Sequence, residues 1–437
     1  MKDPKAIIAA DKNHIWHPFT QAQTAPDAIP IVRGDGAKLF DADGNEYLDL
    51  ISSWWVNTHG HGHPKIAGAI ARQAEQLEHV IFAGFTHEPA VRLAEKLSNV
   101  LPGDLSRVFY SDNGSTAVEV ALKLTFQYWR NKGEARKKFL AFEGGYHGDT
   151  VGAMSVGQSS GFFDAWQELL FDVGTLPFPA TWQGDDDVET KEQKSFLALE
   201  QYLNEHGADT CAMILEPLVQ GAGGMRMCRP EFLKSFVQKL QTAGVLVIFD
   251  EVMTGFGRTG DLFACRKADV VPDIICLSKG LTGGFMPLSA TICRDELYAV
   301  FLDESFDKAF THGHSFTANP LGCAAALASL ELTVSSETQS RIDVIAKIHK
   351  DRLEKLAAFA PLECPRQTGT IAAIDVKAAD SGYTAGIGPA LKAYFMERGL
   401  LIRPLGNVMY VLPPYCIADE DLHRAYDGIE AAVQTIL

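Results

Sequence analysis

Lys279 stands at the end of the apolar run Ile274-Ile275-Cys276-Leu277 and opens the small-residue loop Gly280-Leu281-Thr282-Gly283-Gly284. The run reads as a buried strand. An amine at such a strand end is poorly solvated, loses its proton readily and attacks carbonyls. An aldehyde cofactor held as a Schiff base suits that chemistry. A lysine that simply snorkels to water needs no cofactor, so its partners decide.

Three groups are candidates for partners. Asp250 and Glu251 directly follow the apolar residues Val245-Leu246-Val247-Ile248-Phe249. A carboxylate there must be paired, and beside a pyridine nitrogen it keeps that nitrogen protonated; capping the next turn is the plainer alternative. Ser111-Asp112-Asn113-Gly114-Ser115-Thr116 precedes a helical stretch. Its amides and hydroxyls can bind phosphate at a helix N-terminus, or Thr116 and Glu119 can simply form a capping box. In Glu143-Gly144-Gly145-Tyr146-His147-Gly148-Asp149 a glycine loop presents Tyr146, an aromatic ring able to stack on a planar cofactor or an ordinary turn residue. Phosphate cup, stacking ring, nitrogen-facing acid and lysine are together what pyridoxal phosphate requires. Their joint occurrence is far more specific than any one of them.

The elements that must position these groups alternate. Strands are expected over 107–111, 139–142, 212–215, 245–250, 273–277 and 288–293, with helices over 116–130 and 230–243. Val118, Leu122 and Phe126 mark one face of the first helix. Such alternation predicts an α/β fold with a mostly parallel sheet, whose ligands sit at the carboxyl ends of the strands. From about residue 336 the pattern changes: helix 342–359, strand 371–376, helix 387–398, then short strands near 401–403 and 408–412. We expect a large cofactor-binding domain over 61–335 and a small α/β domain over 336–437. Residues 1–60, with a hairpin around Asp43-Gly44, should pack on the small one.

Two motifs compete. Gly255-Phe256-Gly257-Arg258-Thr259-Gly260 matches G-x-G-x-x-G, the only support for a nicotinamide-dependent oxidoreductase. It does not follow its strand directly and lacks a convincing long helix. His59-Gly60-His61-Gly62-His63 has metal-ligand residue types, the only support for a metal-dependent hydrolase. A structural or turn-forming role is favoured there, and no metal is expected.

Bulk properties set outer limits. The chain has 437 residues and a formal net charge of −16, which disfavours nucleic acid and anionic membranes as partners. No apolar run reaches the roughly 18 residues of a membrane span, and no signal peptide is expected. Its 8 cysteines contain no C-x-x-C pair, so a reducing cytoplasm fits best.

The segment Phe249-Asp250-Glu251-Val252-Met253-Thr254-Gly255-Phe256-Gly257-Arg258-Thr259-Gly260, followed by Leu277-Ser278-Lys279-Gly280-Leu281-Thr282-Gly283-Gly284, resembles the class III aminotransferases. The resemblance extends over nearly the whole chain and implies the fold type I architecture with pyridoxal 5'-phosphate. Trp16-His17-Pro18-Phe19-Thr20-Gln21, Ser52-Ser53-Trp54-Trp55, Gly145-Tyr146-His147-Gly148-Asp149-Thr150 and Gln220-Gly221-Ala222-Gly223-Gly224-Met225 are similar to the biotin-synthesis branch of that family. That branch implies 8-amino-7-oxononanoate as amino acceptor, 7,8-diaminononanoate as product and S-adenosylmethionine as donor. Lysine as donor, or a broad ω-amino acid or diamine aminotransferase, is the alternative; the tryptophan pair argues against the broad enzyme.

The resemblance also implies roles. Lys279 should bind the cofactor aldehyde and carry the proton between the reacting carbons. Asp250 should pair with the ring nitrogen, Tyr146 stack on the ring, and the Gly114 and Ser115 amides hold the phosphate. Ser315 should reach the phosphate of a neighbouring subunit, which implies a homodimer. Trp54, Phe19 and Gly313 should face substrate, and Arg403 should bind its carboxylate. Phe19 lies where some members carry tyrosine, and His314-Ser315 where Pro-Thr is common.

Overall fold

The computed structural model describes residues 3–157, 162–377 and 386–437. Its centre is a seven-stranded sheet in the order Leu105–Ser111, Ser289–Arg294, Ile274–Leu277, Leu246–Asp250, Thr210–Leu215, Lys138–Phe142, Val173–Leu176. Ser289–Arg294 runs antiparallel to both neighbours and the other pairings are parallel. Both faces are covered. Val247 and Phe249 feed one apolar core with Phe232 and Phe236, whereas Leu246 and Ile248 feed another with Val118 and Trp129. Burial on both sides explains why this strand is a continuous apolar run instead of an alternating one.

Six of these strands lie within a residue or two of their expected bounds. Val173–Leu176 was not expected. It is a four-residue edge strand containing Gly174, where a Cβ would come within 2.3 Å of the Tyr202 ring. A short strand with a forced glycine gives no apolar signature.

A second core joins Leu48 and Leu50 to Ile342, Ile345, Leu391 and Leu422. The strands Ile31–Asp35, Lys38–Asp41 and Glu46–Asp49 form a meander, and Leu400–Leu401 adds in parallel to its last strand. Asp49 pairs in register with Leu401. The chain's two ends are therefore knitted into one sheet. Among the described residues no helix is long and apolar enough to cross a membrane.

The glycine motif at 255–260 has a structural task. Gly257 (φ +100°) and Gly260 (φ +97°) shape a loop that aims Arg258 inward, and only the short helix Ala264–Lys267 follows. Arg258 is fully buried and donates to the carbonyls of Pro413 (2.8 Å), Asn57 (3.1 Å) and Trp55 (3.4 Å). It ties the 55–57 segment and the C-terminal strand region to the large sheet. Hydrogen bonds to a charged group contribute roughly 1.5–3 kcal/mol each. Arg258→Ala is therefore expected to cost about 3 kcal/mol or more, read as a lower denaturant midpoint.

Candidate active site

Register brings the strand ends together. Asp250 pairs with Cys276 on the adjacent parallel strand, so the carboxylate and Lys279 emerge at the same sheet edge. With Gly114, Ser115 and Tyr146 they line one cavity of about 630 Å³, within the range of small-molecule sites.

Lys279 starts a 3-10 turn, Lys279–Thr282, with its own φ at +46°. A left-handed non-glycine residue is strained and turns its side chain away from the strand direction. Its Nζ lies 4.8 Å from the centroid of the Trp55 ring. Burial lowers the pKa of the amine, and the Asp250 and Glu216 carboxylates oppose that shift.

The Asp250 side chain is fixed at both oxygens. Oδ2 pairs with His147 Nδ1 at 2.8 Å, and Oδ1 accepts from the Val252 amide at 3.1 Å. Glu251 points the other way and accepts from the amides of Ala264 and Cys265, both at 2.7 Å. Of the two adjacent acids, only Asp250 serves the cavity.

The helix Gly114–Asn131 begins with a capping box between Asn113 and Thr116. The box is therefore not the Thr116–Glu119 one that the sequence offered as an alternative. Glu119 instead accepts from the Gly152 amide at 2.7 Å and fastens the start of the helix Val151–Val156. The observed cap uses the Asn113 and Thr116 amides, and leaves those of Gly114 and Ser115 without intrahelical partners. Close packing matters: a Cβ on Gly114 would come within 2.8 Å of Val252. Thr150 Oγ1 also belongs to this end of the cavity and is buried without a partner in the described structure.

Tyr146 is placed by Glu216. Glu216 Oε2 accepts from the Tyr146 amide at 3.0 Å and Oε1 from Gly221 at 2.9 Å. Burial pushes the Glu216 carboxyl up to about 7, and His147 opposes that shift. The Tyr146 ring stacks on Phe163, centroids 6.0 Å apart and planes 22° apart. Burial raises its hydroxyl pKa, with Asp149 adding to the shift. His147 and Glu216 were not singled out from sequence. Glu216 had a visible signal, because it ends the strand Thr210–Leu215 as Asp250 ends its own.

Trp54, Phe19 and Arg403 form a second cluster outside the cavity lining. The Arg403 guanidinium lies 4.6 Å from the centroid of Trp54, and Phe19 meets Trp54 edge-on at 5.6 Å. Trp55, not Trp54, walls the cavity. Ser315 and Gly313 are exposed on this chain and do not line the cavity. The histidine run disperses. His59 meets Thr333 Oγ1, His61 meets Asp49 Oδ2, and His63 caps the helix Pro64–Ala74. Among the described residues no group of three His, Cys, Asp or Glu is arranged to hold a metal.

The cavity's chemistry is narrow. Unused amides and an orphan hydroxyl call for an anion at one end, a fixed carboxylate calls for a cationic nitrogen, and a depressed lysine calls for a carbonyl. Pyridoxal phosphate carries all three on one small molecule, and the sheet beneath is that of a fold type I pyridoxal phosphate enzyme. The class III aminotransferase profile matches residues 20–433. A relative from Synechococcus elongatus, named adenosylmethionine-8-amino-7-oxononanoate aminotransferase, is 55% identical and covers 95% of this chain and 97% of its own. The crystal structure of the like-named enzyme from Methanocaldococcus jannaschii superposes with a TM-score of 0.91 at 35% identity over 99% of both chains. An amine transaminase from an uncultivated Pseudomonas species, solved with pyridoxal phosphate bound, gives a TM-score of 0.89 at 31% identity, covering 96% of this chain and 98% of its own. The chain belongs to the class III aminotransferases.

Proposed function

We propose that this aminotransferase transfers an amino group to 8-amino-7-oxononanoate, giving 7,8-diaminononanoate for biotin synthesis, with S-adenosylmethionine as donor. The position of Arg403 carries this reading. It stands on Trp54, outside the cavity that holds Lys279. An α-keto acid has its carboxylate beside the reacting carbon. A carboxylate bound at Arg403 belongs instead to a substrate with an aliphatic chain between the two. The names of the relatives support the same acceptor.

When bound, pyridoxal phosphate supplies an aldehyde that exchanges amino groups and a ring that takes up electron density. The chain's residues do the rest. Lys279 Nζ holds the cofactor and moves the proton at the reacting carbon. Asp250 holds the proton on the ring nitrogen, and His147 fixes Asp250. Gly114, Ser115 and Thr150 take the phosphate. Tyr146 covers the ring, and Trp55 screens Lys279 from water. Trp54 and Phe19 flank the acceptor's chain, and Arg403 binds its carboxylate in a charge-assisted contact. We assign Ser315 to the phosphate of a second subunit and Gly313 to its substrate, in a cytoplasmic homodimer. Residues 61–335 act as the large domain. Residues 1–60 and 336–437 act as the small one, a reading supported by the Asp49–Leu401 pairing and the separate second core.

Half-reactions test the donor. S-adenosylmethionine is expected to bleach the visible band of the loaded enzyme, and β-alanine to leave it intact. Bleaching by lysine instead would assign the same reaction a different donor. Equal bleaching by β-alanine would make this a broad ω-aminotransferase.

A further inference from the structure

Ser52, Ser53, Trp54 and Trp55 have φ values of +50°, +44°, +70° and +72°. None is glycine. A complete left-handed turn of L-residues does not persist without external restraint. Its restraint begins at Asp49, which is fully buried. Asp49 Oδ1 accepts from the Ser53 amide at 3.0 Å and the Ile51 amide at 3.3 Å. Oδ2 accepts from the Ser53 hydroxyl at 2.7 Å and pairs with His61 Nε2 at 2.9 Å. His61 is itself pinned, because its backbone exchanges hydrogen bonds with Gly36 at 2.7 and 3.1 Å.

The other end of the turn has separate restraints. Trp55 Nε1 donates to the Tyr410 hydroxyl at 3.0 Å, and Arg258 reaches the Trp55 carbonyl. Asp49 therefore governs Ser53, the residue next to Trp54, while the Ser52 hydroxyl donates to the Leu412 carbonyl at 2.8 Å. The strand register brings Arg403 close to this turn. Asp49 and Leu401 are register partners, and two residues beyond Leu401 the chain reaches Arg403, whose guanidinium lies on Trp54.

We infer that Asp49, backed by His61, is a positioning residue that fixes the acceptor site by holding Ser52–Trp55 left-handed and Trp54 against Arg403. It touches neither substrate nor cofactor. It rests on the reading of Arg403 and Trp54 as the acceptor's carboxylate site.

The holoenzyme carries the test. Asp49→Ala is expected to raise KM for the acceptor about tenfold or more, the size of losing hydrogen bonds to a charged group, while kcat changes less than about threefold. Trp55 and Lys279 keep their own restraints, so the effect falls on KM. The near-ultraviolet circular dichroism assigned by Trp54→Phe should weaken with and without cofactor. Adding Ser53→Gly should recover most of the lost affinity, since glycine takes the left-handed conformation without a Cβ clash. Wild-type KM in Asp49→Ala overturns the inference, as does a double variant that recovers nothing. Should Asp49→Ala fail to fold, Ser53→Ala removes only the 2.7 Å hydroxyl bond; a smaller rise in KM alone sustains the inference, and a loss in kcat alone overturns it. A wild-type enzyme that ignores 8-amino-7-oxononanoate would defeat the proposed acceptor instead. The ratio of variant to wild type on any carboxylate-bearing acceptor that the enzyme does use would still decide the role of Asp49.

Discussion

Lys279→Ala abolishes transamination, with a loss of at least about 10⁴-fold, while pyridoxal phosphate still binds without a covalent link. The reason is a division of labour. The phosphate and ring contacts proposed for Gly114, Ser115, Thr150 and Asp250, all of which line the cavity, do not depend on the lysine. In the proposed reaction the amine alone provides both the attachment and the proton transfer. Its burial lowers its pKa, so it reaches the neutral form more easily than a surface lysine. Alanine keeps the Cβ and so tolerates φ of +46° about as lysine does. The variant therefore tests chemistry, not backbone. Removing a buried amine also removes a desolvation cost, so no loss of thermal stability is expected. Borohydride should fix the cofactor to the peptide carrying residue 279 in the wild type and to no peptide in the variant. Full turnover by Lys279→Ala would refute the mechanism.

What was legible in the sequence follows from how each contact is made. Asp250 and Lys279 end consecutive buried strands, so their meeting was readable from two apolar runs and a parallel register. The Gly114-Ser115 turn was readable as a helix start for the same local reason, although the cap came from Asn113 and not from Glu119. Trp54 and Trp55 were visible as a pair, but not their division between two places. That division depends on a left-handed turn held by Asp49, and no local propensity predicts such a conformation in Ser-Ser-Trp-Trp. The Arg258 contacts were hidden because they span distant segments at Trp55, Asn57 and Pro413. Its glycine-rich setting looked instead like a nucleotide loop. Val173–Leu176 was hidden by brevity and by Gly174. Local periodicity thus reported strands and strand ends. Contacts that close the active site across the chain left little trace in it.

Asp250→Asn should lower kcat by about 10²–10³-fold with cofactor retained, the scale of removing one aimed electrostatic group from a buried site. Asparagine has the same shape and keeps Oδ1 as an acceptor for the Val252 amide. What it loses is the negative charge, and with it the means of holding a proton on the ring nitrogen. It also puts an amide NH₂ where Oδ2 faced His147 Nδ1 at 2.8 Å. His147 must then turn its ring or change tautomer. His147→Gln leaves the carboxylate in place, so its loss should be clearly smaller. A second consequence can be read without cofactor. The Asp250 charge raises the pKa of the Lys279 amine against the larger lowering by burial. Taking that charge away leaves desolvation less opposed, so the amine should deprotonate at lower pH in the variant. The rate of acylation of residue 279 in cofactor-free protein, followed against pH, should shift in the acid direction. A kcat within about threefold of wild type, or a shift in the alkaline direction, would mean that Asp250 is only a strand-end cap.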